Sequence, residues 1–406
     1  MDGENPFIEL SEPAPRAWVR LGGSARAIGR LLREIHQAAT TGSNAADPAL
    51  RALGEAVADP RWVGDGAVVH IGGPAPWDMA GRLAAWATRS QIAADVQSEE
   101  PSPNAANRPG EGPRTGDPRT SAEEQYLALC ERLLEEGRWV NHPRTGKRCL
   151  TVINADLVYD VSDAIVPVLT TKRTYWRQAI AEMLGYWRGY DNAALFRALG
   201  TRSWDANANE SPAWLANPWR KGHDDMGRAY GVQGRRWLSP DGQTVDQLAK
   251  VVDHLSQGID DRREIVTFLN PGEADRMCLP ACMHTHTFSL LGDELYLTSA
   301  QRAWDVPLGG GGWNQLQAAW LLMVVAQITG NKAMQVHHKI VNAHLYEDQV
   351  ERMRDVQLQR EPKPAPRMRI NPDIRTLKDV DTWVTVDDFE LIDYEHAPAI
   401  AYPMSP

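Results

Sequence analysis

A short stretch of the chain, between Cys282 and Asn314, carries several side chains that can take part in covalent chemistry. Cys282 supplies a thiol, Arg302 a guanidinium, Asp305 a carboxylate and Asn314 an amide. Cys282 directly follows Leu-Pro-Ala, a sequence that favours a turn over the start of a helix. A thiolate is the nucleophilic form of cysteine, and a nearby guanidinium favours that form. The set indicates covalent attack on a small anionic substrate.

The elements that present these side chains follow from the hydrophobic pattern. Residues 285–291 and 294–299 alternate in character, and Gly292-Asp293 between them predicts a β-hairpin. The apolar run 316–329 predicts a buried helix directly after the hairpin and its exit. Cys282 and Arg302 therefore lie at the same end of the predicted hairpin.

Two further regions carry polar side chains at positions where chemistry is plausible. Residues 175–188 predict a long helix with Glu182 in its middle, so this carboxylate either faces water or lies in a site. His344 and Tyr346 are two residues apart, and on a strand they face the same side. The residues alone leave both choices open for Glu182.

Short motifs in a fixed order connect these regions. They are RTG at Arg144, TTKR at Thr170, WDAN at Trp204, AYG at Ala229, RREIV at Arg262, LPAC at Leu279, QRAWD at Gln301, AHLY at Ala343 and LQREPKPAPRMRI from Leu358. From about residue 123 to the C-terminus the chain resembles the thymidylate synthase family, which includes the pyrimidine nucleotide hydroxymethylases. The resemblance and the pattern of elements predict an α+β fold, with a bent mixed β-sheet and flanking helices.

The resemblance implies which residues carry the reaction. Cys282 would add to C6 of a pyrimidine ring and so make C5 nucleophilic. Glu182 would organise water and protons around the base, and Tyr230 would assist proton removal at C5. Asp305 would act in catalysis and also contact the folate, as would Trp204 and Asn207. The implied cosubstrate is 5,10-methylenetetrahydrofolate, with no metal.

The resemblance also implies how the nucleotide is bound. The substrate-binding residues would be Arg144, Arg262, Arg263, Arg302, Gln301, Asn314, His344 and Tyr346. Arginine suits the 5′-phosphate because its planar guanidinium is always charged. Arg144 and Arg302 would come from one subunit, and Arg262 and Arg263 of the partner subunit would complete the site, which predicts a homodimer. Asn314 would read the base, and the histidine and tyrosine would bind the 3′-hydroxyl of the sugar.

Four departures from the family pattern bear on the product. Met283 stands in place of the usual histidine and Ala303 in place of the usual serine. The glycine run before Trp313-Asn314 is one residue longer than the usual Gly-x-Pro-Phe-Asn, and the C-terminal Pro-Met-Ser-Pro lacks the usual aliphatic end. Because the C-terminus is the family's lid, this end favours capture of the methylene by water. We therefore expect 5-hydroxymethylation of a pyrimidine nucleoside 5′-monophosphate, with reductive methylation of dUMP to dTMP as the alternative.

The base and the class of protein also have alternatives. Uracil is the leading base and cytosine the second, so dUMP, dCMP and CMP are all candidate substrates. A protein of another class, a nucleotide-binding or partner-docking module that has lost catalysis, would keep the fold alone. The joint presence of the candidate catalytic residues favours the enzyme.

Composition sets the broader limits. A net charge of −10 argues against non-specific nucleic-acid binding. The four cysteines are too scattered for a disulfide framework, and there is neither a signal peptide nor an apolar run of the ~20 residues that span a bilayer. We expect a cytoplasmic enzyme without a membrane anchor. Cysteine and histidine spacing does not match a zinc site.

The chain divides into three predicted parts. Residues 1–95 match no known pattern and predict a small α/β appendage of unknown role, with a helix at 25–37 and a strand at 66–73. Residues 96–120 are rich in Pro, Gly, Asn and Ser, which predicts a flexible linker. Residues 121–406 form the predicted catalytic domain.

Overall fold

The computed structural model describes residues 7–11, 17–22, 61–63, 66–71, 94–96, 116–118, 120–143 and 145–404. The chain forms two compact units, residues 1–110 and 111–406. No helix in the described parts of the chain is long and apolar enough to cross a bilayer.

The first unit contains a five-stranded sheet. Its strands are β1 (Phe7–Ser11), β2 (Ala17–Gly22), β3 (Arg61–Val63), β4 (Gly66–Ile71) and β5 (Ala94–Val96). Their order is β3-β4-β2-β1-β5, antiparallel except for the parallel pair β1 and β5. The predicted strand at 66–73 corresponds to β4, and the predicted helix at 25–37 lies outside the described residues.

The second unit is built on a seven-stranded mixed sheet. Its strands are β6 (Arg138–Asn141), β7 (Arg148–Asp160), β10 (Ile265–Thr267), β11 (Met283–Leu291), β12 (Glu294–Gln301), β13 (Trp304–Asp305) and β14 (Lys332–Tyr346). The order is β10-β11-β12-β14-β7-β6, with β13 also paired to β14. β14 runs parallel to β12 and β13, and the other neighbours are antiparallel. Two small hairpins lie beside it, β8 (Trp237–Leu238) with β9 (Thr244–Val245) and β15 (Arg367–Ile370) with β16 (Phe389–Ile392).

Helices flank this sheet. In chain order they are α1 (Ala122–Glu136), α2 (Trp176–Trp187), α3 (Ala193–Leu199), α4 (Asp205–Asn209), α5 (Pro212–Leu215), α6 (Gly231–Arg235), α7 (Gln247–Ser256), α8 (Gln315–Thr329), α9 (Val350–Arg352) and α10 (Leu377–Thr382). This arrangement confirms the predicted α+β fold class.

Two long helices form the centre of the core. α8 is apolar all round and nearly every residue in it is buried, as expected of a helix that has no solvent face. α2 packs against it, and the indole of Trp187 lies edge-on to that of Trp320 with ring centroids 5.7 Å apart. Glu182 on α2 is only 7% exposed, so the prediction that left its environment open resolves to a buried carboxylate.

The predicted hairpin is present and sets the position of the cysteine. β11 and β12 pair from Leu291 opposite Glu294 back to Met283 opposite Gln301, with an irregularity next to Met283. The backbone N–H of Arg302 donates to the carbonyl of Cys282 at 2.9 Å. Cys282 and Arg302 therefore meet at the open end of the hairpin, as the sequence predicts.

Candidate active site

A cleft in the second unit gathers most of the predicted site residues. It encloses about 850 Å³ including its open mouth. The predicted residues that line it are Glu182, Trp204, Asn207, Tyr230, Cys282, Gln301, Asp305 and Asn314. These side chains come from separate stretches of the chain that the fold brings to one place.

The thiol of Cys282 lies beside a guanidinium. Arg302 Nη2 is 3.7 Å from Cys282 Sγ, within reach of an N–H···S hydrogen bond. The same guanidinium donates from Nε to the carbonyl of Ala281 at 3.0 Å and from Nη2 to that of Pro280 at 2.9 Å. Arg302 thus contacts both the thiol and the turn that holds it.

Tyr230 contacts the nucleophile from another direction. Its hydroxyl oxygen accepts a hydrogen bond from the backbone N–H of Cys282 at 2.9 Å, and its ring stacks on that of Tyr186 at 4.6 Å. Burial raises the pKa of Tyr230 well above its usual value, and the charge of Cys282 raises it further. A phenol that stays protonated donates hydrogen bonds and is no base by itself, so any help in removing the C5 proton passes through a partner.

Glu182 receives two hydrogen bonds on the same oxygen. The indole Nε1 of Trp313 donates to Oε2 at 2.9 Å, and the amide Nε2 of Gln317 donates to Oε2 at 2.7 Å. Neither donor was singled out from the sequence. Gln317 lies three residues after Asn314, one turn along α8, and this spacing is the signal that could have found it.

Three amide side chains, Gln301, Asn314 and Gln317, form a hydrogen-bonded row that we call the amide relay. Gln301 Nε2 donates to Asn314 Oδ1 at 3.0 Å, and Asn314 Nδ2 donates to Gln317 Oε1 at 3.0 Å. Backbone carbonyls of Ala303 and Ala179 accept from the two glutamine Nε2 atoms, at 3.0 and 3.3 Å. A carbonyl can only accept, so these two contacts fix which end of each amide is which.

A buried histidine continues the amide relay away from the cleft. Burial lowers the pKa of His338 to about 3, so its ring is neutral, with one donor and one acceptor nitrogen. His338 Nε2 lies 2.8 Å from Gln301 Oε1, which can only accept. His338 Nδ1 therefore accepts from the hydroxyl of Tyr159 at 3.0 Å. The relay holds the oxygen of Asn314 towards Gln301 and its nitrogen towards Gln317.

Asp305 lies where the cleft meets the C-terminal tail. Burial raises the pKa of its carboxyl from the ordinary 3.8 to about 6. Gln349 Nε2 lies 3.4 Å from both carboxyl oxygens and donates to the carbonyl of Pro403 at 2.9 Å. Tyr402 is buried and donates to Gln357 Oε1 at 2.7 Å. The tail is therefore packed closely next to Asp305.

The predicted phosphate-binding arginines are in different positions. Arg302 lies at the cleft beside Cys282, whereas Arg144 lies outside the described residues. Arg262 and Arg263 are exposed and are not among the residues lining the cleft. Arg262 has a positive φ of 68°, and Arg263 forms an ion pair with Asp261. Among the described members of the predicted arginine set, Arg302 is the one that contacts Cys282, although it is itself not among the residues lining the cleft.

His344 and Tyr346 lie on β14 with their rings edge-on, centroids 5.3 Å apart. This confirms that they share one side of a strand, as their spacing predicts. The pairing of β13 with β14 sets Asp305 opposite His344, so the pair is adjacent to the cleft without lining it. Their predicted contact with the sugar stays a prediction.

The one group of three potential metal ligands found among the described residues lies elsewhere. His254, Asp261 and Glu264 bring their ligand atoms within 4.8 Å of one another. His254 Nδ1 already bonds Glu264 Oε1 at 2.7 Å, and Asp261 is paired with Arg263. These internal bonds account for the geometry of the cluster.

Comparison with known proteins fits the fold and the cleft. A sequence model of the family described as Thymidylate synthase matches residues 124–406. This chain belongs to the thymidylate synthase family. The match includes the hairpin, both core helices and every predicted site residue.

Individual members of the family are close in sequence. Proteins named Thymidylate synthase from Histophilus somni (strain 2336), Tolumonas auensis and Haemophilus influenzae (strain PittEE) are 66%, 65% and 64% identical to this chain over 281 residues. Each alignment covers 69% of this chain and 99% of the relative. The family match does not reach the first unit, whose role it leaves open. The family match and these relatives support a one-carbon transferase as the broad class of enzyme.

Proposed function

We propose that this protein transfers a one-carbon unit to C5 of dUMP by reductive methylation, giving dTMP. Relatives of 64–66% identity that carry the name Thymidylate synthase support methylation. The expectation of hydroxymethylation, which rested on the unusual C-terminus, has no such support. Its physical argument is also weaker than it looked, because Tyr402 is buried and Pro403 is hydrogen-bonded even without an aliphatic end.

The observation that carries the proposal is the thiol of Cys282 beside Arg302 in a cleft that also holds Glu182 and Asn314. Attack of Sγ on C6 forms a carbon–sulfur bond and turns C5 into an enolate-like carbon that can take up an electrophile. Arg302 contacts the thiol, and Tyr230 fixes the backbone of the nucleophile. After the carbon has bonded to C5, loss of the C5 proton would release tetrahydrofolate and leave an exocyclic methylene. Hydride from the tetrahydrofolate, which becomes dihydrofolate, would reduce this methylene to methyl, and elimination of Sγ would restore the ring.

The fixed orientation of Asn314 bears on which base it can bind. Its Nδ2 keeps a second N–H and its Oδ1 a second lone pair after the bonds within the amide relay are made. A uracil presents an acceptor at O4 and a donor at N3, and cytosine presents the reverse. Because the relay fixes the amide, Asn314 cannot turn over at low cost, and it can therefore match only one of the two bases in a given binding position.

Methylenetetrahydrofolate is the cosubstrate, and when bound it supplies both the carbon and the hydride. The side chains on its predicted side of the cleft are chemically suited to it. Asp305 offers a carboxylate to ring N–H groups, Asn207 an amide, and Trp204 an aromatic surface. Tyr402, which is buried in the tail next to Asp305, would help keep water from the transferred carbon.

Incubation of the purified protein with methylenetetrahydrofolate and dUMP, dCMP, UMP or CMP tests the proposal directly. We expect dUMP alone to gain CH2, detected by mass, with dihydrofolate released. A gain of CH2O with tetrahydrofolate released would contradict methylation. Failure with all four nucleotides would favour the binding module.

A matched pair of cysteine variants tests the nucleophile. Cys282→Ala should abolish exchange of the C5 hydrogen of dUMP with solvent and leave nucleotide binding within about twofold, because the thiol alone activates C5. Cys278→Ala is the control, since burial raises the pKa of that thiol to about 12 and it lies outside the cleft lining. Exchange that survives in Cys282→Ala would show that this cysteine is not the nucleophile.

A further inference from the structure

The two hydrogen bonds to Glu182 have a fixed direction, because neither Trp313 nor Gln317 can accept a hydrogen bond at the nitrogen that contacts the carboxylate. An indole N–H has no acceptor function, so Trp313 can offer only a hydrogen. Gln317 could in principle turn over, but Ala179 O and Glu182 Oε2 both accept from its Nε2 while its Oε1 accepts from Asn314. Both bonds end on Oε2, so neither donor engages Oε1.

The longer glycine run brings the indole to this position. Gly312 has a φ of +87°, and a Cβ there would lie 2.4 Å from Thr174 Oγ1 and 3.0 Å from the backbone nitrogen of Leu169. Its N–H donates to Gln315 Oε1 at 2.7 Å, which ties the end of the run to the first residue of α8. The run can pass this close to its neighbours only as glycine. The run thus places Trp313 next to Glu182, which lies much earlier in the chain.

We propose that Trp313 is a positioning residue that acts through Glu182, with Gln317 as the second donor. Together they hold Oε2 against the protein and leave Oε1 without a bond from either donor. Where the family pattern has phenylalanine, which has no N–H, this chain carries an indole. The inference rests on the proposed function, because it assumes that Glu182 serves the reaction.

The decisive variant is Trp313→Phe, which keeps an aromatic ring and removes the N–H. A lost hydrogen bond to a charged group should lower kcat about tenfold, or ~1.4 kcal/mol, while the KM for dUMP stays within about twofold. The matched control is Trp383→Phe. Trp383 Nε1 also donates to a carboxylate, Asp379 Oδ1 at 3.0 Å, but it does so at the surface and outside the cleft lining. We expect Trp383→Phe to leave kcat unchanged.

Gln317→Met provides a second test if the tryptophan variant is poorly folded. It removes the other donor to Glu182 at similar volume and should lower kcat. Because it also removes the acceptor of Asn314 Nδ2, the KM for dUMP should rise as well. Far-ultraviolet circular dichroism and the dissociation constant of dUMP report whether either variant still folds and binds.

Each outcome has one meaning. A fall in kcat with unchanged dUMP binding supports positioning of Glu182. A kcat within twofold of the parent in both folded variants overturns it, as does a loss confined to dUMP binding. If the parent protein itself makes no product from dUMP, the proposed function has failed, and this inference falls with it.

Discussion

At the scale of single residues, Asp305 has the environment that most directly predicts a pH dependence. The carboxyl is buried, and burial disfavours its charged form, which raises its pKa to about 6. A carboxylate accepts hydrogen bonds with both oxygens, whereas the protonated acid has become a donor at one of them. A ligand that presents N–H groups is therefore held best when Asp305 is ionised.

This predicts how folate binding responds to acid. As pH falls through about 6, Asp305 takes up a proton and the KM for methylenetetrahydrofolate should rise, by about tenfold per pH unit below that value. Steady-state kinetics between pH 5 and 8 measure this. Asp305→Asn cannot ionise and should show a high KM without that pH dependence. A KM that stays flat in the parent protein down to pH 5 would contradict the assignment.

At the scale of elements, the glycine run before α8 combines two demands on the backbone. Gly312 needs a positive φ and also has neighbours where a side chain would go. Gly292, at the turn between β11 and β12, has a similar φ of +70° but no neighbouring atom within 4 Å of where a Cβ would be. A substitution at Gly292 therefore introduces backbone strain alone, whereas one at Gly312 introduces both backbone strain and a steric clash.

Alanine at each position should have different effects. Gly292→Ala should cost only the strain, about 1–2 kcal/mol of unfolding free energy, with kcat unchanged. Gly312→Ala should cost more and also lower kcat at least fivefold, because the clash with Thr174 and Leu169 displaces Trp313 from Glu182. Thermal unfolding and kcat are the measurements. Equal effects of the two variants on kcat would show that the glycine run has no specific role in catalysis.

Elements also show where prediction from sequence succeeds and where it ends. The β11–β12 hairpin was predictable because its pattern and its Gly-Asp turn are local. Glu182 remained ambiguous because nothing near it in sequence says what covers α2. Its partners Trp313 and Gln317 are more than 130 residues away, and a contact of that range depends on the fold. The tail's packing against Gln357 escaped prediction for the same reason.

At the scale of the whole molecule, the positions of Arg262 and Arg263 decide whether one chain alone can form a complete active site. They are exposed, they do not line the cleft of their own chain, and the family resemblance has them reach a neighbouring subunit. If they do, each active site needs two chains. The expected homodimer then follows from the chemistry of phosphate binding.

Co-expression of two inactive variants tests this. Cys282→Ala lacks the nucleophile, and Arg262→Ala combined with Arg263→Ala lacks the donated arginines. Random pairing makes about half of the dimers mixed, and one site of each mixed dimer is intact, so about a quarter of the parent activity should return. Each of the two variants, purified separately, should show no activity. Activity that stays absent after co-expression would place the arginines in their own chain's site.

Arg302 has a consequence for how any mutation of it is interpreted. Its guanidinium holds the carbonyls of Pro280 and Ala281 and also lies against the thiol of Cys282. A phosphate that binds this guanidinium, which has five N–H donors, would share it with the turn and the thiol. Substrate arrival and readiness of the nucleophile are thereby linked through one side chain. A substitution of Arg302 should therefore change the affinity for the nucleotide and kcat together.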